Sequence, residues 1–167
     1  RQWETRAGAL LDRMLATLWT GDYFTVRRSG GDLVRQEPTS MLSVMPLVLG
    51  NLLPREIYAK LVEQLRARYL TAHGPATEAY AGPLYEPDGY WTGPIWAPST
   101  YLLVDGLRRG GDAALADDIA RRFCDMIQHI AGGNYENFDA LTGQGLRAPG
   151  YSWTAAVHLQ MLLEMAP

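Results

Sequence analysis

Residues 112–133, DAALADDIARRFCDMIQHIAGG, decide the fold class of this chain. Apolar side chains return in this stretch every three or four positions, which places them on one face of an α-helix. The members of this stripe are Leu115, Ile119, Phe123, Met126, Ile127 and Ile130. Asp112 is expected to cap the start of the helix, and the Gly132-Gly133 pair to end it. The stretch therefore predicts an amphipathic helix packed on a core.

The same helical period recurs on both sides of this stretch. Further helices are predicted at 2–19, 40–50, 54–69, 97–107 and 152–165. Thr39 or Ser40 is expected to cap the second of these, and Pro46 to bend it or delay its start. The polar, glycine-containing segment near residues 23–34 predicts a minor extended hairpin or loop. About six helices meeting in pairs predict an all-α fold, which fits about half of an (α/α)6 six-hairpin toroid; a plain helical bundle is the alternative.

The composition excludes several classes of partner. Hydrophobic residues make up 47% of the 167 residues and charged residues 20%, as in an ordinary globular domain. The formal net charge of -3 and the lack of a basic stripe argue against nucleic acid as a partner. No long apolar run or secretion signal is visible, so we expect no membrane partner and a cytoplasmic location. The single cysteine, Cys124, lies on an apolar stripe and is expected to pack in the core.

Two long segments lack helical periodicity, and loops of such length are usually functional. The first, 71–96, ends in Tyr90-Trp91-Thr92-Gly93-Pro94-Ile95-Trp96, a Gly-Pro turn surrounded by aromatic residues. Flat aromatic rings with a polar tip suit the stacking of sugars, but the same residues could form an aromatic core beneath the loop. The spacing alone leaves both interpretations open.

The second segment, 134–150, contains Glu136 and Asp139 among aromatic residues. Hydrolysis of a glycosidic bond commonly requires one protonated acid and one ionised carboxylate. Asp139, which precedes Leu-Thr-Gly, is more typical of a turn former. Composition alone favours a pair of solvated loop carboxylates over a catalytic pair.

Other kinds of chemistry have little support in the sequence. The three histidines, His73, His129 and His158, lack metal-ligand spacing with one another or with Cys124, so no metal is expected. Gly143-x-Gly145 has neither the Lys nor the preceding strand of a phosphate loop. No serine occupies a nucleophile elbow. We therefore expect neither a cofactor nor a nucleophilic serine.

Three ordered motifs resemble glycoside hydrolase family 63 and its bacterial relatives, which include glucosylglycerate and mannosylglycerate hydrolases and amylo-alpha-1,6-glucosidase-like chains. Residues 90–96, YWTGPIW, resemble the family signature Tyr-Trp-Arg-Gly-Pro-x-Trp. Residues 135–139, YENFD, are similar to its Tyr-Glu-x-Tyr/Phe-Asp segment, and 151–156, YSWTAA, to the start of its closing helix. Their order and spacing extend the resemblance over the whole chain.

The resemblance implies an inverting hydrolase of alpha-glycosides built on an (α/α)6 barrel. It implies that Glu136 is the general base that activates water. Tyr90, Trp91, Gly93 and Trp96 would shape the subsite for a small carbohydrate or glycosylated substrate, and Trp153 would support it. Thr92 departs from the signature, because the family usually has Arg at this place.

The family's acid, an Asp in a Trp/Asp-rich motif of the first half of the barrel, has no counterpart here. The local carboxylates that could replace it are Glu78, Glu86 and Asp88. Since the chain also opens inside a helix, we expect 1–167 to be the C-terminal portion of one catalytic domain, inactive without the N-terminal half of the barrel. A non-catalytic carbohydrate-binding helical module is the alternative; a sugar epimerase or terpenoid cyclase toroid would lack its catalytic histidine pair or Asp-rich metal motif.

Overall fold

A computed structural model describes residues 2–34 and 36–166. The chain divides into two compact units, Arg1–Pro38 and Thr39–Pro167. The described residues are mostly helical, with one sheet of two short strands. The predicted all-α class is confirmed. None of the described helices is long and apolar enough to span a membrane.

The first unit contains helix α1, Gln2–Leu18, and an extended segment. The predicted apolar stripe is present on α1, but none of its residues is buried, and Trp3 is 75% exposed. After the helix, isolated bridges join Trp19 to Phe24 and Arg27 to Leu33. The segment near 23–34 is therefore an extended loop with isolated bridges rather than a continuous hairpin ladder.

The second unit begins with 3₁₀ turns, Met41–Ser43 and Met45–Leu52. Ser40 caps the first of them, since its Oγ accepts a hydrogen bond from the Leu42 N–H over 3.3 Å. Pro46 lies in the first turn of the second, whose regularity is broken at Gly50 (φ 56°). A helix was predicted here, and the chain is helical but has 3₁₀ rather than α geometry.

Helix α2, Arg55–Gln64, begins directly after Pro54 and continues into a π-helical turn, Leu65–Tyr69. Helix α3, Ala97–Gly110, packs against Met45–Leu52 on one side and against helices α4, Ala113–His129, and α5, Ser152–Met165, on others. A Cβ atom at Gly106 would lie 2.3 Å from the Leu47 carbonyl oxygen. Glycine is therefore what lets α3 approach the 3₁₀ segment so closely.

Helix α4 is the element predicted from residues 112–133. Its stripe is buried from Leu115 to Ile127, as predicted, whereas Ile130 lies just beyond the end of the helix. Asp112 occupies the N-cap position, but its side chain makes no capping hydrogen bond, so the predicted cap is wrong. Burial, together with a hydrogen bond to Asp112, raises the pKa of the Tyr58 hydroxyl above its usual range. The Tyr58 hydroxyl donates to the Leu107 carbonyl over 3.3 Å, which ties α2 to α3.

Helix α5 closes the second unit and is tied to its neighbours by polar contacts. Arg108 of α3 forms ion pairs with Asp117 of α4, at 3.1 Å, and with Glu164 of α5. Thr154 and Met161 of α5 are buried, whereas Leu159 and Leu163 are 60% and 64% exposed. Apolar surface of this helix is therefore left uncovered by the described residues.

Candidate active site

An aromatic cluster of Tyr90, Trp91, Trp96 and Trp153 forms where the two long loops meet helix α5. The rings of Trp91 and Trp96 are stacked, with centroids 4.0 Å apart and planes at 8°. Tyr90 and Trp153 meet the Trp96 ring edge-on, at 4.8 Å and 5.6 Å. Trp96 is fully buried and Trp91 is 46% exposed. Trp91 can therefore offer a flat surface to a ligand, while Trp96 supports it from beneath.

The backbone of the first loop is fixed around Gly93. Thr77 bonds to it twice: its Oγ1 accepts from the Gly93 N–H over 3.1 Å, and its N–H donates to the Gly93 carbonyl over 3.2 Å. A Cβ atom at Gly93 would lie 2.0 Å from the Glu86 carbonyl oxygen. Gly93 is buried, so its part in the site is to allow this close turn.

Thr92 turns its side chain back into the loop. Its Oγ1 donates to the Gly89 carbonyl over 2.7 Å. The indole Nε1–H of Trp96 donates to the Tyr90 carbonyl over 2.8 Å and closes the other side of the turn. The turn is thus held by its own hydrogen bonds, and position 92 supplies no guanidinium.

The second loop contains strands β1, Asn137–Phe138, and β2, Gly145–Leu146, which pair antiparallel. Phe138 also pairs with Ile95 of the first loop through reciprocal hydrogen bonds of 2.7 Å and 3.0 Å. The Phe138 ring is fully buried and meets Phe123 of α4 edge-on at 5.9 Å. The buried Phe138 anchors both loops to the helical core.

Glu136 immediately precedes strand β1 and is half-buried. The indole Nε1–H of Trp153 donates to its carbonyl over a long 3.4 Å. The Thr154 hydroxyl donates to the neighbouring Tyr135 carbonyl over 2.7 Å, which fixes the start of α5 against this strand. Through Trp153, the Glu136 backbone is joined to the aromatic cluster. Among the described residues, the Glu136 carboxylate has no hydrogen bond or ion pair.

Asp139 differs from Glu136 in what its carboxylate does. Its Oδ1 accepts hydrogen bonds from the backbone N–H groups of Leu141 and Thr142, at 2.8 Å and 3.1 Å. This is the geometry of an Asx turn, in which an Asp side chain caps the backbone that follows it. The interpretation of Asp139 as a turn former is confirmed. Of the two carboxylates, that of Glu136 is the one without a hydrogen bond or ion pair among the described residues.

The carboxylates of the first loop lie in contrasting surroundings. Glu78 is 3% exposed, and its Oε1 has no hydrogen-bond partner among the described residues. Asp88 is exposed and forms an ion pair with Arg147 of the second loop, with 2.7 Å between Oδ1 and the guanidinium nitrogen. A groove of about 320 Å³ beside Trp91 is lined by Met41, Met45, Thr77 and Ser99, among others.

Arg147 is a residue that sequence reasoning missed. Its guanidinium carbon lies 5.8 Å from the centroid of the Tyr90 ring, so it contacts the aromatic cluster directly. The local sequence Leu-Arg-Ala-Pro carries no signal for this contact, because it depends on the folding of both loops. No group of three potential metal ligands occurs in the part of the chain that the structure describes.

The chain is similar to known proteins in family, sequence and structure. The model of the mannosylglycerate hydrolase MGH1-like glycoside hydrolase domain matches residues 1–154. Mannosylglycerate hydrolase of Thermus thermophilus is 34% identical over 158 residues, which are 87% of this chain and 35% of that protein. Periplasmic trehalase of Pseudomonas aeruginosa is 31% identical over 151 residues, which are 81% of this chain and 26% of that protein.

Two solved structures share the fold. The family 63 mannosylglycerate hydrolase from Thermus thermophilus in complex with glucose matches with a TM-score of 0.78 and 22% identity, covering 97% of this chain and 37% of that one. Neutral trehalase from Saccharomyces cerevisiae matches with a TM-score of 0.74 and 21% identity, covering 98% and 30%. These likenesses confirm the helical-toroid fold predicted from the sequence.

The chain spans about a third of the length of the first curated relatives that it matches, 35% and 37%. Within that third it contains Glu136, the aromatic cluster and the loops that hold them. The match to the family model and the identity to these relatives lead to the same conclusion: the chain belongs to the MGH1-like glycoside hydrolase family.

Proposed function

We propose that this chain supplies the general base and the aromatic sugar platform of an inverting hydrolase of alpha-glycosides. The observation that carries the proposal is the link through Trp153, whose ring contacts Trp96 at 5.6 Å and whose Nε1–H bonds to the Glu136 carbonyl at 3.4 Å. The backbone of Glu136, whose carboxylate has no protein partner among the described residues, is thereby joined to the cluster that carries the exposed Trp91 ring. This is what a hydrolase needs to hold a sugar and activate water in one place.

In the proposed mechanism, a sugar ring packs its C–H face on Trp91. The Glu136 carboxylate removes a proton from a water molecule on the opposite side of the anomeric carbon from the leaving group. A second carboxyl group protonates the glycosidic oxygen, across a separation of roughly 6.5–9.5 Å that leaves room for the water. One displacement of this kind inverts the anomeric configuration.

We further propose that the second carboxyl group belongs to the N-terminal part of the barrel, outside residues 1–167. The short share of each relative that the chain matches supports this division. As substrates we propose alpha-glycosides of a small hydroxy acid, since one set of relatives are mannosylglycerate hydrolases. Alpha-linked glucose disaccharides come second, because the trehalases are also similar to the chain.

The test is to assay the full-length protein on mannosylglycerate, glucosylglycerate and trehalose, and to follow the anomeric signals of the first product by NMR. Glu136→Gln should lower kcat by roughly 10²–10⁴-fold while substrate still binds, because the amide cannot accept the proton. Asp139→Asn is the matched control and should retain most of the activity. Undiminished turnover by Glu136→Gln would contradict the assignment of Glu136 as the base. A first product that keeps the anomeric configuration of the substrate would contradict inversion. Binding without turnover in the unaltered protein would favour a carbohydrate-binding module.

A further inference from the structure

The pairing of β1 with β2 places an arginine opposite the proposed base. Asn137 pairs with Leu146, and Phe138 with Gly145. Continuing this register by one residue sets Arg147 opposite Glu136. Directly opposed residues in an antiparallel pair project on the same face, with Cβ atoms about 4.5–5.5 Å apart. A regular ladder would therefore bring the guanidinium beside the Glu136 carboxylate.

The chain avoids this arrangement by a bulge. Just beyond the two strands, the Glu136 N–H donates over 2.9 Å to the carbonyl of Ala148, the residue after Arg147, so that Arg147 and Ala148 together stand opposite Glu136. Arg147 itself has a φ of 65°, in the left-handed region that non-glycine residues seldom adopt. Bulges of this kind are known to redirect a side chain beside functional sites.

The redirected guanidinium is held on the first loop. It donates to the Asp88 carboxylate over 2.7 Å and to the Asp88 carbonyl over 3.1 Å, and it lies over the Tyr90 ring. Tyr90 also has a positive φ, 60°. Arg147 and Tyr90 are the described non-glycine residues in this conformation, and they touch each other. Such strain persists only where surrounding contacts compensate for it.

We propose that Asp88 is a positioning residue that holds the Arg147 guanidinium against Tyr90 and away from Glu136. The inference rests on the proposed function, in which Glu136 must accept a proton from water. A carboxylate in an ion pair is a poorer proton acceptor, because the neighbouring cation favours its charged form. Asp88 and the bulge thus keep the base available, although neither touches the substrate.

The ion pair itself contributes little to stability. The Arg147 and Asp88 side chains are 40% and 60% exposed, and solvent and salt screen ion pairs between groups as exposed as these. Removing it should therefore alter where the guanidinium lies rather than whether the protein folds. This separates a positioning role from a structural one.

The experiment compares Asp88→Asn, Arg147→Gln and the double variant in the full-length protein. Asp88→Asn releases the guanidinium towards Glu136, so we expect kcat to fall by about tenfold, with an unchanged melting temperature. The acidic limb of the pH–rate profile should move to lower pH, because the cation favours the charged form of the Glu136 carboxylate. The double variant should recover kcat to within about twofold of Arg147→Gln alone, because the cation is gone. Arg121→Gln, which removes an arginine paired with Asp118 on α4, is the control and should behave as the parent does.

A crystal structure of the Asp88→Asn variant tests the placement without any activity. Arg147 should leave the Tyr90 ring and lie within ion-pair distance of Glu136; a guanidinium that stays over Tyr90 overturns the proposal. Unchanged kinetics for Asp88→Asn, or a double variant as impaired as Asp88→Asn, overturns it as well. If the unaltered protein hydrolyses no glycoside, the proposed function fails, and the crystal structure still decides where Asp88 holds Arg147.

Discussion

Trp91 and Trp96 stack face to face at 4.0 Å, yet one ring is 46% exposed and the other is completely buried. The two tryptophans, which are five residues apart in sequence, therefore have different roles: Trp91 is available to a ligand, and Trp96 supports it from within the core. One face of Trp91 is covered by Trp96, and the rest of that ring remains accessible. Substitutions at the two positions should have separable effects.

We expect Trp91→Ala to weaken substrate binding and Trp96→Ala to weaken the fold. Loss of an exposed sugar-stacking ring should raise KM by about tenfold, equivalent to roughly 1.4 kcal/mol, with the unfolding free energy nearly unchanged. Removal of a fully buried tryptophan should cost about 3–5 kcal/mol of stability. Urea unfolding and steady-state kinetics on the full-length variants measure the two quantities. An equal loss of stability in both variants would contradict this division.

The contact of Gly106 with the Leu47 carbonyl predicts a steric effect. Gly106→Ala would place its Cβ 2.3 Å from that oxygen and should destabilise the protein by about 1–3 kcal/mol, because α3 and the 3₁₀ segment must separate. Gly8→Ala is the matched control: Gly8 lies within α1, and its new Cβ would meet nothing within 4 Å. There the helix propensity of Ala should leave stability equal or higher, by about 0.5–1 kcal/mol. Thermal unfolding of both variants provides the comparison, and equal effects would argue against the close packing.

Cys124 should be protected from alkylation in the folded protein. Burial, with a smaller contribution from the nearby Asp125, raises the pKa of its thiol to about 11. The thiolate is the reactive form, so at pH 8 the native thiol should label with iodoacetamide far more slowly than in urea. Mass spectrometry of timed samples measures the rates. Comparable rates in native and unfolded protein would show that the thiol is accessible.

His158 should make the fold sensitive to acid. Burial lowers the pKa of its imidazole below the usual value, and its Nε2 has no hydrogen-bond partner among the described residues. The unfolded chain therefore binds a proton near pH 6.5 that the folded chain takes up only at lower pH. Stability is unaffected by this group above about pH 6.5 and is lost as the pH falls from that value through the lower pKa of the folded state.

The test of this linkage is urea unfolding between pH 5 and 8. His158→Gln should show a smaller loss of stability over this range than the parent protein. His129→Gln, at the exposed end of α4, is the control variant. An identical pH dependence in the His158 variant and the parent would exclude the imidazole as its source.

The helices could be predicted from the sequence because the apolar periodicity that indicates them is a local property of the chain. The stripe from Leu115 to Ile127 has the period of a helix, and that face is buried. Asp112 stands at the expected N-cap position, but the sequence did not indicate that its side chain would make no capping hydrogen bond. The stretch around Gly50 showed its helical character but not its 3₁₀ geometry, nor the break at Gly50, where a Cβ atom would lie 2.7 Å from the Arg109 Cβ.

The candidate site was only partly predictable. Aromatic spacing identified Tyr90, Trp91 and Trp96 as a group, but nothing local indicated that Trp96 would be buried beneath Trp91. The left-handed conformation of Arg147 carries no sequence signal either, since Gly or Asn usually marks such positions. Its partner Asp88 lies on the other loop, and only the folded chain brings them together.

The reciprocal pairing of Ile95 with Phe138 limits how this site can diversify during evolution. Since the two loops share one register, an insertion next to Ile95 or next to Phe138 would shift the aromatic platform relative to Glu136. The turn outside it, residues 86–92, has internal hydrogen bonds, but Asp88, Tyr90 and Trp91 within it also contact Arg147 and Trp96, so its length is constrained as well. New substrate preferences should therefore arise by exchange of side chains on this turn rather than by insertions in it.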